Sequence, residues 1–295
     1  MIDENKKRTY IIRKLRTRGS MHQLNCEDDL CSLDIGNYIF MAVFDGCSSG
    51  KDSHFASTFH RILTELTAKT MLSLPLNEWE TDYEMLKAIV LTVRKNLGDY
   101  INSFAFSPVE NNEMLSTGIF SIFNKNTGKV NALICGDGVI SIDGKIYCKH
   151  NDGDVVLYLS TVPYNKFEEY LNSDCLKILD EPVISTYSIS TDGIDSFKNI
   201  YGVSVSNTAR ETFFDGTRFM SQEIMLQRTY NMFIKRASEK VMNQDDFTMA
   251  RLIIQDEIEP LKEDKAEEPM LCSCHCCEEK ENNDKEKNSN EEERG

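Results

Sequence analysis

Between Tyr38 and Phe44 the chain runs through seven consecutive apolar residues, Tyr-Ile-Phe-Met-Ala-Val-Phe, and stops at Asp45-Gly46. A strand of this length without polar alternation has both faces covered, so it belongs to the middle of a layered structure. Any fold for this chain must therefore supply a layer on each side of it. Two helical stretches follow. His54–Leu74 carries Phe55, Phe59, Ile62, Leu63 and Leu66 at spacings of three and four, and Tyr83–Phe104 repeats the pattern with Leu86, Ile89, Val90, Val93, Leu97 and Ile101. Each reads as a helix with one apolar stripe turned to the core.

The rest of the pattern is mostly strands. Tyr10–Leu15 is the first. After the helices, Leu115–Phe123, Val130–Cys135, Val139–Ile142, Lys145–Tyr147 and Val155–Ser160 are separated by Asn/Gly/Asp clusters, as in antiparallel hairpins. Val183–Ser190 ends at Thr191-Asp192-Gly193, a third long helix is expected over Ser221–Met242, and Thr248–Ile254 is a final buried strand. Helix pairs inserted among antiparallel strands do not suit the strict alternation of a doubly wound parallel sheet. Two packed sheets with helices on their outer faces do. The folded part is read as residues 10–256, after a basic segment, 1–9, that holds Lys6, Lys7 and Arg8. In the tail, 257–295, the stretch 278–295 has no apolar residue and cannot offset its ordering entropy, so the tail is expected to be disordered.

Charge narrows the functional classes. The net charge is −15, and a surface of that sign repels a phosphate backbone, which argues against nucleic acid as a partner. No apolar run approaches the ~20 residues of a spanning helix, so no membrane partner is expected. After Met1-Ile2 the opening residues, Asp3 to Arg8, are polar and charged, without the apolar stretch of an export signal. Six of the ten cysteines are scattered singly, which reads as reduced thiols in a cytoplasmic protein. A phosphate loop, an H-E-x-x-H helix and a G-x-S-x-G elbow are all missing.

What recurs is aspartate at the ends of apolar strands: Asp45-Gly46, Gly136-Asp137-Gly138, Asp192-Gly193 and Asp245-Asp246, with Glu27-Asp28 ahead of the central strand. Any one Asp-Gly is an ordinary turn, and Asp143-Gly144, Asp152-Gly153 and Asp215-Gly216 read as no more than that. The set says more. With Tyr38–Phe44, Val183–Ser190 and Thr248–Ile254 as central neighbours, their acidic ends converge on one edge. Carboxylates that close repel unless a cation neutralises them, and all-oxygen ligands select magnesium or manganese.

In order along the chain, Asn25-Cys-Glu-Asp28, Val43-Phe-Asp-Gly46, Ser116-Thr-Gly118, Cys135-Gly-Asp137, Ser190-Thr-Asp-Gly193 and Asp245-Asp-Phe-Thr248 resemble the metal-dependent protein phosphatase 2C (PPM) family. The stretches Gly19-Ser-Met-His22 and Asp45-Gly-Cys-Ser-Ser-Gly50 are more similar to its divergent, mainly bacterial branch. The resemblance implies an α+β fold, a four-layer αββα sandwich of two antiparallel sheets flanked by helix pairs. It also implies a serine/threonine protein phosphatase that takes a phosphorylated protein substrate and has a cognate kinase. A hydroxide bridging two Mn2+ or Mg2+ ions would attack phosphorus in line, without a phosphoenzyme. Carried over by motif, Asp45 bridges the two ions, the Gly46 carbonyl helps to hold one, and Asp192 and Asp245 complete the set. Glu27 and Asp28 stand beside it, partly through water. Asp137 matches the residue supporting a third, weaker metal site.

Two positions depart from the family pattern. Cys47 stands where some members have a proposed acid histidine, and Gln23 where many have an arginine that grips phosphate. His22 is the candidate catalytic side chain for either task; its other reading is a turn residue bonded to backbone. The alternative function is a catalytically silent phosphatase-fold module that binds a phosphorylated partner. The segment between Asp195 and Phe219 is expected to form a loop beside the site. Separately, Cys272-Ser-Cys-His-Cys-Cys277 offers five soft ligands suited to zinc or copper(I), without the C-x2-C spacing of a folded zinc site.

Overall fold

A computed structural model describes residues 8–22, 25–47, 53–74, 79–103, 113–148, 157–199, 201–205, 209–210, 213–214 and 242–256. The elements, in chain order, are β1 (Arg8–Thr17), β2 (Asp29–Ile35), β3 (Tyr38–Gly46), α1 (Ser53–Leu72), α2 (Asp82–Ser103), β4 (Ser116–Asn124), β5 (Lys129–Cys135), β6 (Val139–Ile142) and β7 (Lys145–Cys148). Then come α3 (Tyr164–Ser173), β8 (Leu176–Pro182), β9 (Thr186–Ser190), a 3-10 turn (Asp192–Asp195), β10 (Phe197–Lys198), β11 (Met242–Asn243) and β12 (Phe247–Asp256). They build an α+β sandwich. One antiparallel sheet has the order β1-β12-β9-β6-β7 and the other the order β2-β3-β4-β5-β8.

The apolar run of β3 explains the layering. Successive side chains of a strand point to opposite faces. Ile39, Met41 and Val43 therefore enter the core between the sheets, against Ile140, Ile189, Ala250 and Leu252. Phe40, Ala42 and Phe44 face the helices, against Leu86, Ile89, Val90 and Val93 of α2. Thr81 accepts the Glu84 N–H at 3.1 Å to cap α2. The carboxylate of Asp82 takes hydrogen bonds from Tyr38 Oη and Asn124 Nδ2, both at 2.9 Å, fixing the helix start to β3 and β4. A further cluster, with Phe197, Phe213, Phe214, Phe247 and Met249, packs beside Val139.

Several expectations are corrected. The apolar stripe of α1 does not face the core: Phe55, Ile62 and Leu66 are 37%, 39% and 59% exposed. The buried face is Ala56, Ser57, His60, Thr64 and Ala68. Small residues let α1 lie close on β2 and β3, and only Leu63 of the stripe packs against that core. Residues 157–160 are not a strand. The Ser160 and Val162 carbonyls accept the buried Arg94 guanidinium at 3.3 and 2.8 Å, in place of a neighbouring strand. Helix α3 and edge strand β8, which ends on Pro182, had no signal strong enough to be read. The ladder of β9 begins only at Thr186, because Val183–Ser185 cross from one sheet to the other. Thus β3 lies in one sheet while β9 and β12 pair in the other, and the three are not neighbours in a single sheet. The helix expected over Ser221–Met242 lies outside the described residues, except that Met242 belongs to β11. The segment 1–7, the tail 257–295 and its cysteines, and the turns at 152–153 and 215–216 also lie outside them.

Asp143-Gly144 is a two-residue hairpin turn, with φ of +48° and +88°. It is more than a turn. The Asp143 carboxylate accepts the N–H groups of Ile184, Ser185 and Thr186 at 2.7, 2.8 and 2.9 Å and the Ser185 hydroxyl at 2.6 Å. It thereby ties the β6–β7 turn to the crossing segment. No described helix is long and apolar enough to cross a membrane.

Candidate metal centre

The acidic residues gather at one edge of the sandwich because the strands that carry them end there. Asp45 closes β3 opposite Thr117 of β4. Asp137 lies on the link from β5 to β6, where the chain passes from one sheet to the other. Gly136 makes that link possible: its φ is +126°, and a Cβ there would stand 2.5 Å from Thr117 Cβ. Asp192 follows β9, and Asp245 precedes β12. The carboxylates of Asp45, Asp137 and Asp192 each offer an oxygen, all within 4.8 Å of one another.

The other expected residues surround this trio. Asp245 shares a cavity of about 680 Å3 with Asp137, Asp192, Asp195, Lys198 and His22. Asp28 is fully buried and accepts the Thr191 hydroxyl at 2.7 Å. Gly46 donates its N–H to the Glu27 carbonyl at 3.2 Å, and a Cβ would stand 2.2 Å from the Ser53 carbonyl. His22 is held among three carboxylates: Nδ1 lies 2.8 Å from Asp246, and Nε2 lies 3.5 Å from Asp245 and 3.7 Å from Glu27. Gln23 and residues 48–50 lie outside the described residues.

This geometry is electrostatically costly without a cation. Burial, then the charges of Asp28, Asp192, Asp245 and Asp137, holds the Asp45 carboxyl well above the usual range. Asp192 is pushed up to about 7 by burial and then by Asp137 and Asp245. Asp28, Asp137 and Asp245 are raised too, burial being the largest cause in each. For His22 burial acts downward, but the hydrogen bond to Asp246 and the charges of Asp246, Glu27 and Asp245 outweigh it, and its pKa is raised.

Four contributors had no role assigned from the sequence, Asp246 and Thr191 standing there only as members of their motifs. Asp246 is 1% exposed and accepts the N–H groups of Gly19, at 2.6 Å, and Glu27. It pins the β1–β2 loop, whereas its neighbour Asp245 opens to the cavity; a bare Asp-Asp pair does not say which does which. Thr191 bridges, donating its hydroxyl to Asp28 and accepting the Thr248 N–H at 3.0 Å. Tyr158 receives a hydrogen bond from Cys47 Sγ at 2.9 Å. Burial, Cys47 and the charges of Asp137 and Asp45 raise its pKa. Lys198 lies in the segment expected to be a loop, which is partly core: Phe197 and Phe213 are buried while Asp195, Ser196 and Lys198 face the cavity.

Solved structures share this fold. The phosphatase domain with a regulatory fragment of the cell-fate determinant SpoIIE from Bacillus subtilis superposes with a TM-score of 0.54 at 15% identity, covering 86% of this chain and 66% of that one. A bacterial serine phosphatase bearing a point mutation gives 0.57 at 12%, covering 84% and 99%. The catalytic domain of the serine/threonine phosphatase PstP, in complex with two manganese ions, gives 0.52 at 12%, covering 85% and 100%. No curated protein sequence matches the chain. The family model described as Protein phosphatase 2C matches residues 18–231, well over half of the sequence. With the sandwich and its acidic edge, that match answers the question of kinship: the chain belongs to the protein phosphatase 2C family.

Proposed function

We propose that this chain is a manganese- or magnesium-dependent serine/threonine protein phosphatase. It would act in the cytoplasm on proteins phosphorylated by a partner kinase. The observation that carries this reading is the convergence of Asp45, Asp137 and Asp192 within 4.8 Å. Carboxylates so close cannot all ionise unless a cation shares them. The donors are all oxygen, which suits hard divalent ions. The fit extends outward: among the described residues Glu27 Oε2, Asp28 Oδ1 and Asp137 Oδ1 are buried with no hydrogen-bond partner.

In this reading Asp45, Asp137, Asp192, Asp245 and the Gly46 carbonyl hold the ions, with Glu27 and Asp28 behind them. When bound, the ions neutralise the incoming phosphate and acidify the attacking water. The chain's own residues do the rest. Lys198 meets the outer phosphate oxygens, the task that arginine has in many relatives. Tyr158, its pKa raised and its oxygen already engaged by Cys47, stays protonated at neutral pH and donates to the leaving seryl or threonyl oxygen. His22, tied to Asp246, keeps the loop carrying Glu27 and Asp28 against the site.

The test is hydrolysis of an aryl phosphate and of a phosphothreonine peptide, with manganese and in chelator, by the wild type and by Asp45→Asn. Manganese-dependent turnover is expected in the wild type and none in the variant. Equal turnover in chelator, or a variant retaining more than about a tenth of the activity, overturns the two-ion reading. A silent phosphatase-fold module is the second reading, favoured by Cys47 at the histidine position; it predicts manganese binding without turnover of either substrate.

A further inference from the structure

Two cysteines that the proposed chemistry does not use face each other next to the acidic cluster. The β5–β8 ladder pairs Leu133 with Lys177 and Ile134 with Leu176. Cys175 lies one residue before β8 begins, where continuing that antiparallel register would set it opposite Cys135. Their sulfurs are 3.2 Å apart. Both are thiols, and both point to the helix side of the sheet with Leu133, Tyr170 and Leu171. The Cys175 N–H is donated to the Tyr170 carbonyl at 3.2 Å rather than across the ladder. Directly opposed residues of an antiparallel pair have Cα atoms about 4.5–5.5 Å apart. A disulfide accepts about 4.4–6.8 Å, the range that continuing this register by one step gives, and the sulfurs have about 1 Å to travel.

Both ends of this pair lead to the site. Cys135 is separated from Asp137 by Gly136 alone, and Thr117 packs against Gly136 where a Cβ would stand. Cys175 follows α3, whose Tyr170 hydroxyl is donated to the Leu157 carbonyl at 3.2 Å, beside Tyr158. The pair is thus joined by the chain to a carboxylate of the trio and, through Tyr170, to the segment that carries Tyr158.

We propose that Cys135 and Cys175 form a reversible oxidation site: a hydroperoxide closes the cross-strand dithiol to a disulfide, and the closure weakens divalent-cation binding through Asp137. Only the second half rests on the metal reading above. Cys175, at 6% exposure against 0% for Cys135, is the sulfur that meets the oxidant first. It attacks the peroxide oxygen, the O–O bond breaks, and a sulfenic acid and one hydroxylic product form, water in the case of hydrogen peroxide. Cys135 sulfur then attacks the sulfenic sulfur, the S–O bond breaks, a second water leaves with the Cys135 proton, and the S–S bond closes. Two thiols have lost two electrons to one peroxide.

The experiment treats the reduced full-length chain with hydrogen peroxide and maps its peptides without reduction. In parallel it uses a full-length variant with Cys272, Cys274, Cys276 and Cys277 changed to Ser, so that tail thiols do not compete. A peptide joining Cys135 to Cys175 is expected in both, reversed by a dithiol reductant and missing in Cys175→Ser and in Cys175→Ala. Manganese binding by calorimetry should weaken about five-fold or more on oxidation, and should not change with peroxide in either Cys175 variant. A map showing only tail linkages overturns the site. A joined peptide with unchanged manganese affinity overturns the coupling. Reduced protein that binds no manganese overturns the metal reading and the coupling together, and the joined peptide, scored by mass, keeps that failure distinct from failure of the dithiol.

Discussion

Lowering the pH should remove a definable part of the stability of this fold through one side chain, His60. It is fully buried on the sheet-facing side of α1, its ring centroid 6.2 Å from that of Phe44, with Nδ1 2.7 Å from the Ala56 carbonyl. That carbonyl can only accept, so Nδ1 carries the proton and Nε2, buried and without a hydrogen-bond partner, is the free base. Burial, helped by the charge of Arg94 and only partly opposed by the Ala56 bond, lowers its pKa from 6.5 to about 4. The unfolded chain takes up the proton near 6.5. Between the two values the unfolded state therefore binds more protons, and stability rises with pH there. The contribution is complete above about 6.5 and lost as pH falls toward 4. The gap corresponds to about 3 kcal/mol in all, of which about 2 is gone at pH 5. Other groups titrate in the same window, the raised carboxylates with opposite sign, so the quantity to measure is a difference. Urea unfolding of wild type and His60→Leu at pH 7, 6 and 5 should show the wild type losing about 2 kcal/mol relative to the variant across that range. Parallel stability–pH curves for the two proteins would refute the buried neutral imidazole.

Three further outcomes follow from other contacts. Asp143→Asn should cost about 1–2 kcal/mol at pH 7, since an exposed carboxylate is screened but four donors lose an anionic acceptor. Hydrogen bonds from Ser185, Ile184 and Thr186 outweigh burial and lower its pKa, so this contribution is present above pH 3.8 and is lost below it; urea titrations at pH 7 and pH 3 check both halves. Lys198→Ala should raise KM for a phosphopeptide about five-fold or more with a smaller change in kcat, while Lys145→Ala, away from the cavity, changes neither; equal KM values sink the phosphate-gripping role. Tyr158→Phe should slow phosphothreonine hydrolysis about ten-fold or more but leave an aryl phosphate, whose leaving oxygen needs no proton, nearly unaffected, and an equal loss on both would refute proton donation.

The sequence announces what periodicity and local chemistry encode and is silent on partners brought in from far away. The run Tyr38–Phe44 reads correctly because both of its faces are apolar, and α2 because Leu86, Ile89, Val90, Val93 and Leu97 form one buried stripe. The same rule misleads at α1, where close helix–sheet contact selects Ala56, Ser57 and Thr64 and leaves Phe55 and Leu66 outside. Strand β8, Leu-Lys-Ile-Leu-Asp-Glu-Pro, lies at an edge and lacks the apolar density that marks a central strand. At the site, aspartates at strand ends are visible in one dimension, but their grouping is not: the motifs set Asp45 with Asp192 and Asp245 and put Asp137 apart, whereas Asp137 is the one within 4.8 Å of Asp45 and Asp192. Tyr158 was hidden inside a segment read as a strand. Asp143 shows the opposite failure: its Asp-Gly signature fits the turn that it makes, yet its four partners sit some 40 residues on, where no local pattern points.

Strand β1 pairs with β12 along its whole length, from Arg8 against Asp256 to Thr17 against Phe247. The last acidic element of the site, Asp245-Asp246, immediately precedes that closing strand. On a ribosome, then, the first strand waits without its partner until almost the entire folded region has left the exit tunnel. For all that time the strand neighbouring it in the finished sheet does not yet exist, and the loop carrying Glu27 lacks the carboxylate that pins it. Until residues 245–256 have emerged, a nascent chain lacks Asp245, Asp246 and the partner of β1 together, so the acidic edge is incomplete at every shorter length. The metal centre proposed for this edge is therefore assembled only once the last strand has been made.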